Sequence, residues 1–182
     1  MIKIRIFVVS IANLLTVLCA IAFSSLSVAQ TAAPATQPVA TDITAEDIRS
    51  FIDDLPRDRV SDRAIRVVGT TGDIQIGVFG VYRPEGVTGD VNVHLVDTTE
   101  IYYMLKGAAT LVTGGTMVEP YPAPGSNSWV RAKAIEDGVT RRVVPGDVII
   151  IPGHTPHWWS ELEGEIEYLI FRPDPGNRLE LK

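Results

Sequence analysis

From residue 64 onward the chain is a succession of short runs rich in Val, Ile, Tyr and Thr, separated by Gly, Pro and Asp. That punctuation constrains the fold more than anything else in the sequence: β-branched and aromatic runs broken by turn residues read as strands, and the intervals leave no room for the helices of a parallel sheet. Strands are expected over residues 64–68, 74–82, 91–96, 100–106, 109–113, 128–134, 139–144, 147–151, 157–161 and 165–171. Such spacing fits an antiparallel sandwich or barrel. Residues 114–127, GGTMVEPYPAPGSN, carry no strand pattern and read as a long loop, either a lid or plain surface. No internal repeat is present.

One amphipathic helix precedes the β region. Thr44 is placed to cap it, Asp47 stands three residues on, and Ile48, Phe51, Ile52 and Leu55 recur at helical spacing before Pro56 ends the run. Its apolar stripe needs a surface to cover, and a helix lying across one edge or end of a sheet is the expectation.

Residues 1–29 read as a secretory signal peptide, with Lys3 and Arg5 as the positive region, an apolar run from Ile6 to about Phe23, and Ser27-Val28-Ala29 as the cleavage site. The run is also long enough for an uncleaved anchor, since ~18 apolar residues can span a bilayer. Cys19 follows Leu18 rather than the small residue that lipoprotein processing needs. A periplasmic or secreted protein is expected, in contact with a membrane only if the signal segment stays uncleaved. Residues 30–41, QTAAPATQPVAT, read as a flexible linker, and residues 42–63 as the helix and its connection, leaving 64–182 as the β domain. After cleavage the chain has no cysteine, because Cys19 is the only one, so no disulfide can staple it. Formal charge is −6, and losing Lys3 and Arg5 with no acidic residue takes it to −8. With no basic patch, nucleic acid is not an expected partner.

All three histidines fall in two short segments. The first reads Asn92-Val93-His94, with Glu100 six residues beyond His94 and Gly107 after that; the second reads Gly146-x5-Pro152-Gly153-His154-Thr155-Pro156-His157. Neutral imidazole and carboxylate are ligands of borderline divalent metals, and two His with one Glu leave positions open for chemistry. Glu100 at the head of an apolar strand would be a costly buried charge unless paired or ligating a metal.

These segments resemble the two motifs of the cupin family: His…Glu100-x6-Gly107 resembles the second half of the first motif, and Gly146-x5-Pro152-x4-His157 the second motif, with a β-rich segment of 38 residues between Gly107 and Gly146. The resemblance covers roughly residues 75–172. It implies a single jelly-roll β-barrel holding a metal on inward side chains, with His94, Glu100 and His157 as ligands and Asn92 as a candidate fourth. It also implies a homodimer as an expectation. The chain departs from the family in carrying one His where His-x-His is usual. Either Asn92 takes the first place, or His94 does and Val96 takes the second; the former is preferred because an amide can coordinate weakly and Val cannot. His154 also replaces a usual Gly, and Glu161 a usual Asn.

Among the other residues, His154 is a candidate acid or base at the mouth, or a solvent-facing turn residue. Tyr102 shares the inward face with Glu100 and is a candidate proton carrier, or barrel filling. Trp158 and Trp159 read most simply as packing. Arg131, Lys133, Arg141 and Arg142 read as solvated charges, with an inward Arg holding a carboxylate ligand as the alternative. The functional expectation is a small-molecule enzyme using one divalent metal, Fe(II) or Mn(II) ahead of Zn(II), with dioxygenase-like or isomerase/lyase chemistry. The competing class is a non-catalytic barrel that binds a small molecule or a metal.

Overall fold

The computed structural model describes residues 39–182 apart from Asp73; the expected signal peptide, and the linker as far as residue 38, lie outside the described residues. Within the unit formed by residues 40–182, one helix is followed by eleven strands. Helix α1 (Ala45–Asp53) begins at Thr44, whose side chain accepts from the Asp47 N–H while the Asp47 carboxylate accepts from the Thr44 N–H. This reciprocal cap satisfies two otherwise orphaned donors.

The strands are β1 (Ser61–Gly69), β2 (Gln75–Arg83), β3 (Val91–His94), β4 (Glu100–Thr113), β5 (Thr116–Val118), β6 (Tyr121–Pro122), β7 (Trp129–Ala132), β8 (Ala134–Glu136), β9 (Val139–Val143), β10 (Val148–Ile151) and β11 (His157–Asp174). Every pairing among them is antiparallel. Two long strands organise the rest. The first part of β4 and the last part of β11 lie together between β10 and β2, with β1 outside β2. The later part of β4 and the first part of β11 lie between β9 and β3, followed by β7 and β6. Thus β4 and β11 run through both walls of the barrel. Strands β5 and β8 form a separate two-stranded ribbon.

This corrects the sequence reading in three places. Residues 100–106 and 109–113 belong to one strand rather than two, as do 157–161 and 165–171. Both breaks were inferred from glycines, but here glycine bends a strand without ending it. Gly107 has φ 75°, and a Cβ there would stand 2.1 Å from the Glu165 carbonyl oxygen. Across from it the register shifts between Glu163 and Glu167, so the bend is a bulge that turns the strand from one wall to the other. Third, residues 114–127 contain β5 and β6 rather than forming a structureless loop.

Inward side chains from both walls make one core, including Val81, Tyr102, Met104, Leu111, Ile149, Trp159, Tyr168 and Ile170. The helix covers the outside. Ile52 and Leu55 pack with Tyr82 and Leu169, flanked by Ile65, Leu105 and Phe171. The helix therefore lies on a sheet face rather than across an edge or end. Close approach is permitted by Gly80, where a Cβ would stand 3.0 Å from Phe51 and 3.2 Å from Ile52. The described residues form an antiparallel β-barrel, as the cupin resemblance implied, with the one amphipathic helix that the apolar spacing of residues 48–55 predicted.

Candidate metal centre

The site lies between the walls at the end of the barrel where β3 finishes and β4 begins. His94 is the last residue of β3 and Glu100 the first of β4, so the five-residue connection between them carries the chain from one wall to the other. His157 opens β11 directly opposite Asn92 of β3. The turn before His157 docks onto that connection: the His154 N–H donates to the His94 carbonyl at 2.9 Å, and a Cβ on Gly153 would stand 2.3 Å from the Val96 carbonyl oxygen. The Pro-Gly-His turn thereby holds both histidine-bearing segments in place.

His94, Glu100 and His157 are all buried, and one ligand atom from each lies within 4.8 Å of the others. His94 Nε2 is 3.3 Å from Glu100 Oε1, and His157 Nε2 is 3.3 Å from Oε2. The two imidazoles are nearly parallel, with centroids 5.8 Å apart and an interplanar angle of 16°. The Trp129 ring stands edge-on to His94 at 4.6 Å.

The hydrogen bonds fix which atoms are free. His157 Nδ1 lies 3.0 Å from the Thr155 carbonyl oxygen. A carbonyl only accepts, so Nδ1 carries the proton and the lone pair of the neutral ring is on Nε2. Glu100 is held as a carboxylate. Burial alone would push its carboxyl up, but the Arg172 guanidinium, with His157 and His94, reverses that and holds it well below the ordinary range. A nitrogen lone pair thus faces an anionic oxygen across 3.3 Å. A cation belongs there, either a proton on Nε2 or a metal ion. Donors about 2.1 Å from a shared ion stand ~3.0 to 3.4 Å apart in octahedral or tetrahedral geometry, and each imidazole nitrogen stands at such a separation, 3.3 Å, from one of the two oxygens of Glu100.

Glu100 is itself anchored. Arg172 Nε donates to Oε1 at 2.7 Å and the Tyr102 hydroxyl donates to Oε2 at 2.9 Å. A terminal nitrogen of Arg172 also donates to Asp62 at 2.8 Å, and its guanidinium lies over the Phe79 ring at 4.1 Å. Arg172 escaped the sequence reading because it sits 72 residues from its partner. The strand phase could have found it: Tyr168, Ile170 and Arg172 alternate onto one face.

The other expected site residues divide. Asn92 lines the same cavity as His94, whereas Val96 does not, since β3 stops at His94. The Asn92 side-chain N–H donates to the Asp90 carbonyl at 3.3 Å. Tyr102 is in the site, but burial, followed by the Glu100 charge, pushes its hydroxyl well above the ordinary tyrosine value. It keeps its proton and orients Glu100. His154 is not brought in: it is absent from the cavity lining and its exposed ring lies 3.3 Å from Asp97. Trp159 is core, but Trp158 is not; its indole N–H donates to the Gly89 carbonyl at 3.1 Å. Arg142 pairs with Glu163 at 2.6 Å on the surface, whereas Arg131 lines the cavity. That cavity, about 570 Å³, is bounded by the three candidate ligands, by Tyr102, Tyr168 and Ile170, and by four arginines.

No protein-family model matches the chain, and no curated protein matches it in sequence. Solved structures do resemble it. The DMSP lyase DddQ from Ruegeria pomeroyi is 16% identical, covers 81% of this chain and 82% of its own, and has a TM-score of 0.45. KdgF from a Halomonas species is 19% identical over 64% of this chain and 80% of its own, with a TM-score of 0.43. An oxalate decarboxylase from Lactobacillus farciminis is 18% identical over 55% of this chain, with a TM-score of 0.38; the chain spans 24% of that protein's length.

Proposed function

We propose that this chain is an exported, metal-dependent enzyme acting on a small molecule, with one divalent ion held by His94, Glu100 and His157. A single observation carries the reading: an ionised, buried carboxylate flanked by two imidazole nitrogens, at separations that suit a shared ion, on the wall of a cavity of about 570 Å³. Two His and one carboxylate favour Fe(II) or Mn(II), with Zn(II) also compatible. Bound there, the ion would supply Lewis acidity or, as Fe(II), a place to use dioxygen.

The chain's own residues prepare that place. Thr155 fixes the His157 tautomer through its carbonyl, Trp129 sets the plane of His94, and Arg172 and Tyr102 hold the two oxygens of Glu100. Such outer partners orient ligands and tune their basicity. Tyr168 and Ile170 also line the cavity. Asn92, beside His94 and His157, is a candidate fourth ligand or a donor to substrate. Residues 1–29 would direct the protein to the periplasm or beyond. A homodimer is part of the same proposal.

The test is elemental analysis of protein isolated from its own compartment, followed by oxygen-uptake and turnover assays with catechols, flavonoids and diketones. About one divalent ion per chain and turnover abolished by His157→Ala are expected. Tight ligand binding without turnover across the panel would assign the barrel to binding instead. Ion content unchanged by His94→Ala and His157→Ala would remove the metal centre altogether.

A further inference from the structure

The cavity holds more positive charge than its acids neutralise. Four arginines line it, Arg59, Arg83, Arg131 and Arg172, against Asp62, Asp90 and Glu100. Arg172 is engaged with Glu100 and Asp62, and Arg59 is an exposed side chain near Asp58. Asp90 accepts from the Tyr121 hydroxyl and lies 3.6 Å from Lys133 Nζ. Among the described residues, no carboxylate lies within 4.0 Å of Arg83 or Arg131. Arg83 is buried and donates only to neutral oxygens, the Tyr168 hydroxyl at 3.0 Å and the Thr88 carbonyl at 2.7 Å. Arg131 Nε is buried with no hydrogen-bond partner at all. A buried N–H of a charged group is costly to leave unmade.

Strand register fixes where Arg131 points. It stands opposite Asn92 on the β3–β7 pair, two residues from Trp129, which stands opposite His94. Asn92 in turn stands opposite His157. Directly opposed residues of antiparallel strands project to one face, so Arg131 shares its face with both candidate imidazole ligands. At ~4.8 Å per strand, its Cα stands two strands and roughly 10 Å from that of His157. A molecule of a few carbons bridges that span.

We propose that Arg131, backed by the field of Arg83 on the facing wall, makes this a site for small organic acids: the substrate's carboxylate sits on the Arg131 guanidinium and its remaining oxygens face His94, Glu100 and His157. The acid subsite rests on the metal-centre reading only for which end of the substrate reacts. A planar guanidinium fork matches a carboxylate in two parallel hydrogen bonds, which gives orientation as well as affinity.

Calorimetric titration of succinate, malate and their neutral amide counterparts into the isolated protein, metal-free and Mn(II)-loaded, tests this. The acids should bind and the amides should not. Arg131→Gln should weaken acid binding by about tenfold or more, with Mn(II) uptake unchanged, and Arg131→Lys should retain part of the affinity because charge survives without the fork. Acids binding no tighter than amides to the wild type would overturn the proposal, and this comparison needs no variant to fold. So would an Arg131→Gln protein with wild-type acid affinity. Failure of the wild type to take up Mn(II), with acid binding still dependent on Arg131, would sink the metal reading and leave the acid subsite standing.

Discussion

Glu100 is the residue on which the site turns, and its partners decide how it behaves. With Arg172 removed, a carboxylate only 1% exposed keeps its burial cost and loses its main compensation. Breaking a buried pair in this way typically costs ~3 to 5 kcal/mol. Arg172→Met should therefore lower metal-free stability by about that amount in denaturant unfolding, and added Mn(II) should recover part of the loss by supplying positive charge. The sign of the pH dependence follows from the depressed carboxyl. Its contribution is fully present above the unfolded value, about 4.3 for glutamate, and is lost as pH falls through the lower folded value. Metal-free protein should lose melting temperature below about pH 4.3, and Glu100→Gln should lose less over the same range. Tyr102→Phe removes one donor to Glu100 and little volume. It should weaken metal affinity by roughly 10- to 100-fold in a competition titration and lower the melting temperature of the metal-free protein, by less than Arg172→Met does because a hydrogen bond is lost and not a charge. His94, Glu100 and His157 were legible in the sequence because each sits in a short motif whose spacing survives as spacing in the strands. Arg172 and the true setting of Arg131 were not, because both depend on pairing between distant segments.

At the scale of elements, glycines explain where sequence reading and structure part. The turn signal at Gly107 is real, but it marks a bulge within β4 and not an end of it. Because a Cβ there would meet the Glu165 carbonyl oxygen at 2.1 Å, and φ is positive, Gly107→Ala should destabilise the barrel. The expected readout is a clear fall in melting temperature. The Pro152 to His157 segment was legible as a turn delivering an imidazole. That it also clamps the His94 segment, through the His154 backbone rather than its ring, needed the fold. His154→Ala should accordingly leave metal content as in the wild type. The helix is a separable device. Gly80→Val would push Phe51 and Ile52 off the outer face and lower stability, while the protein that remains folded should bind metal with unchanged stoichiometry.

For the molecule as a whole, the alternation of apolar runs and turn residues made the β architecture readable, since an all-antiparallel fold has few other ways to use such runs. The partition of β4 and β11 between two walls was not readable, because nothing local distinguishes a bend from an end. A barrel that binds its ion only when folded must gain stability from it, by ~2.7 kcal/mol at a free concentration one hundred times the dissociation constant. Thermal melts with and without Mn(II) should show that gain in the wild type and its loss in His157→Ala. The most direct measurement is anomalous diffraction at the metal absorption edge from crystals of the protein as isolated. One peak is expected about 2.0 to 2.2 Å from His94 Nε2, His157 Nε2 and a Glu100 oxygen. A difference map with no peak at that point, in protein shown to contain a divalent metal elsewhere, would contradict it.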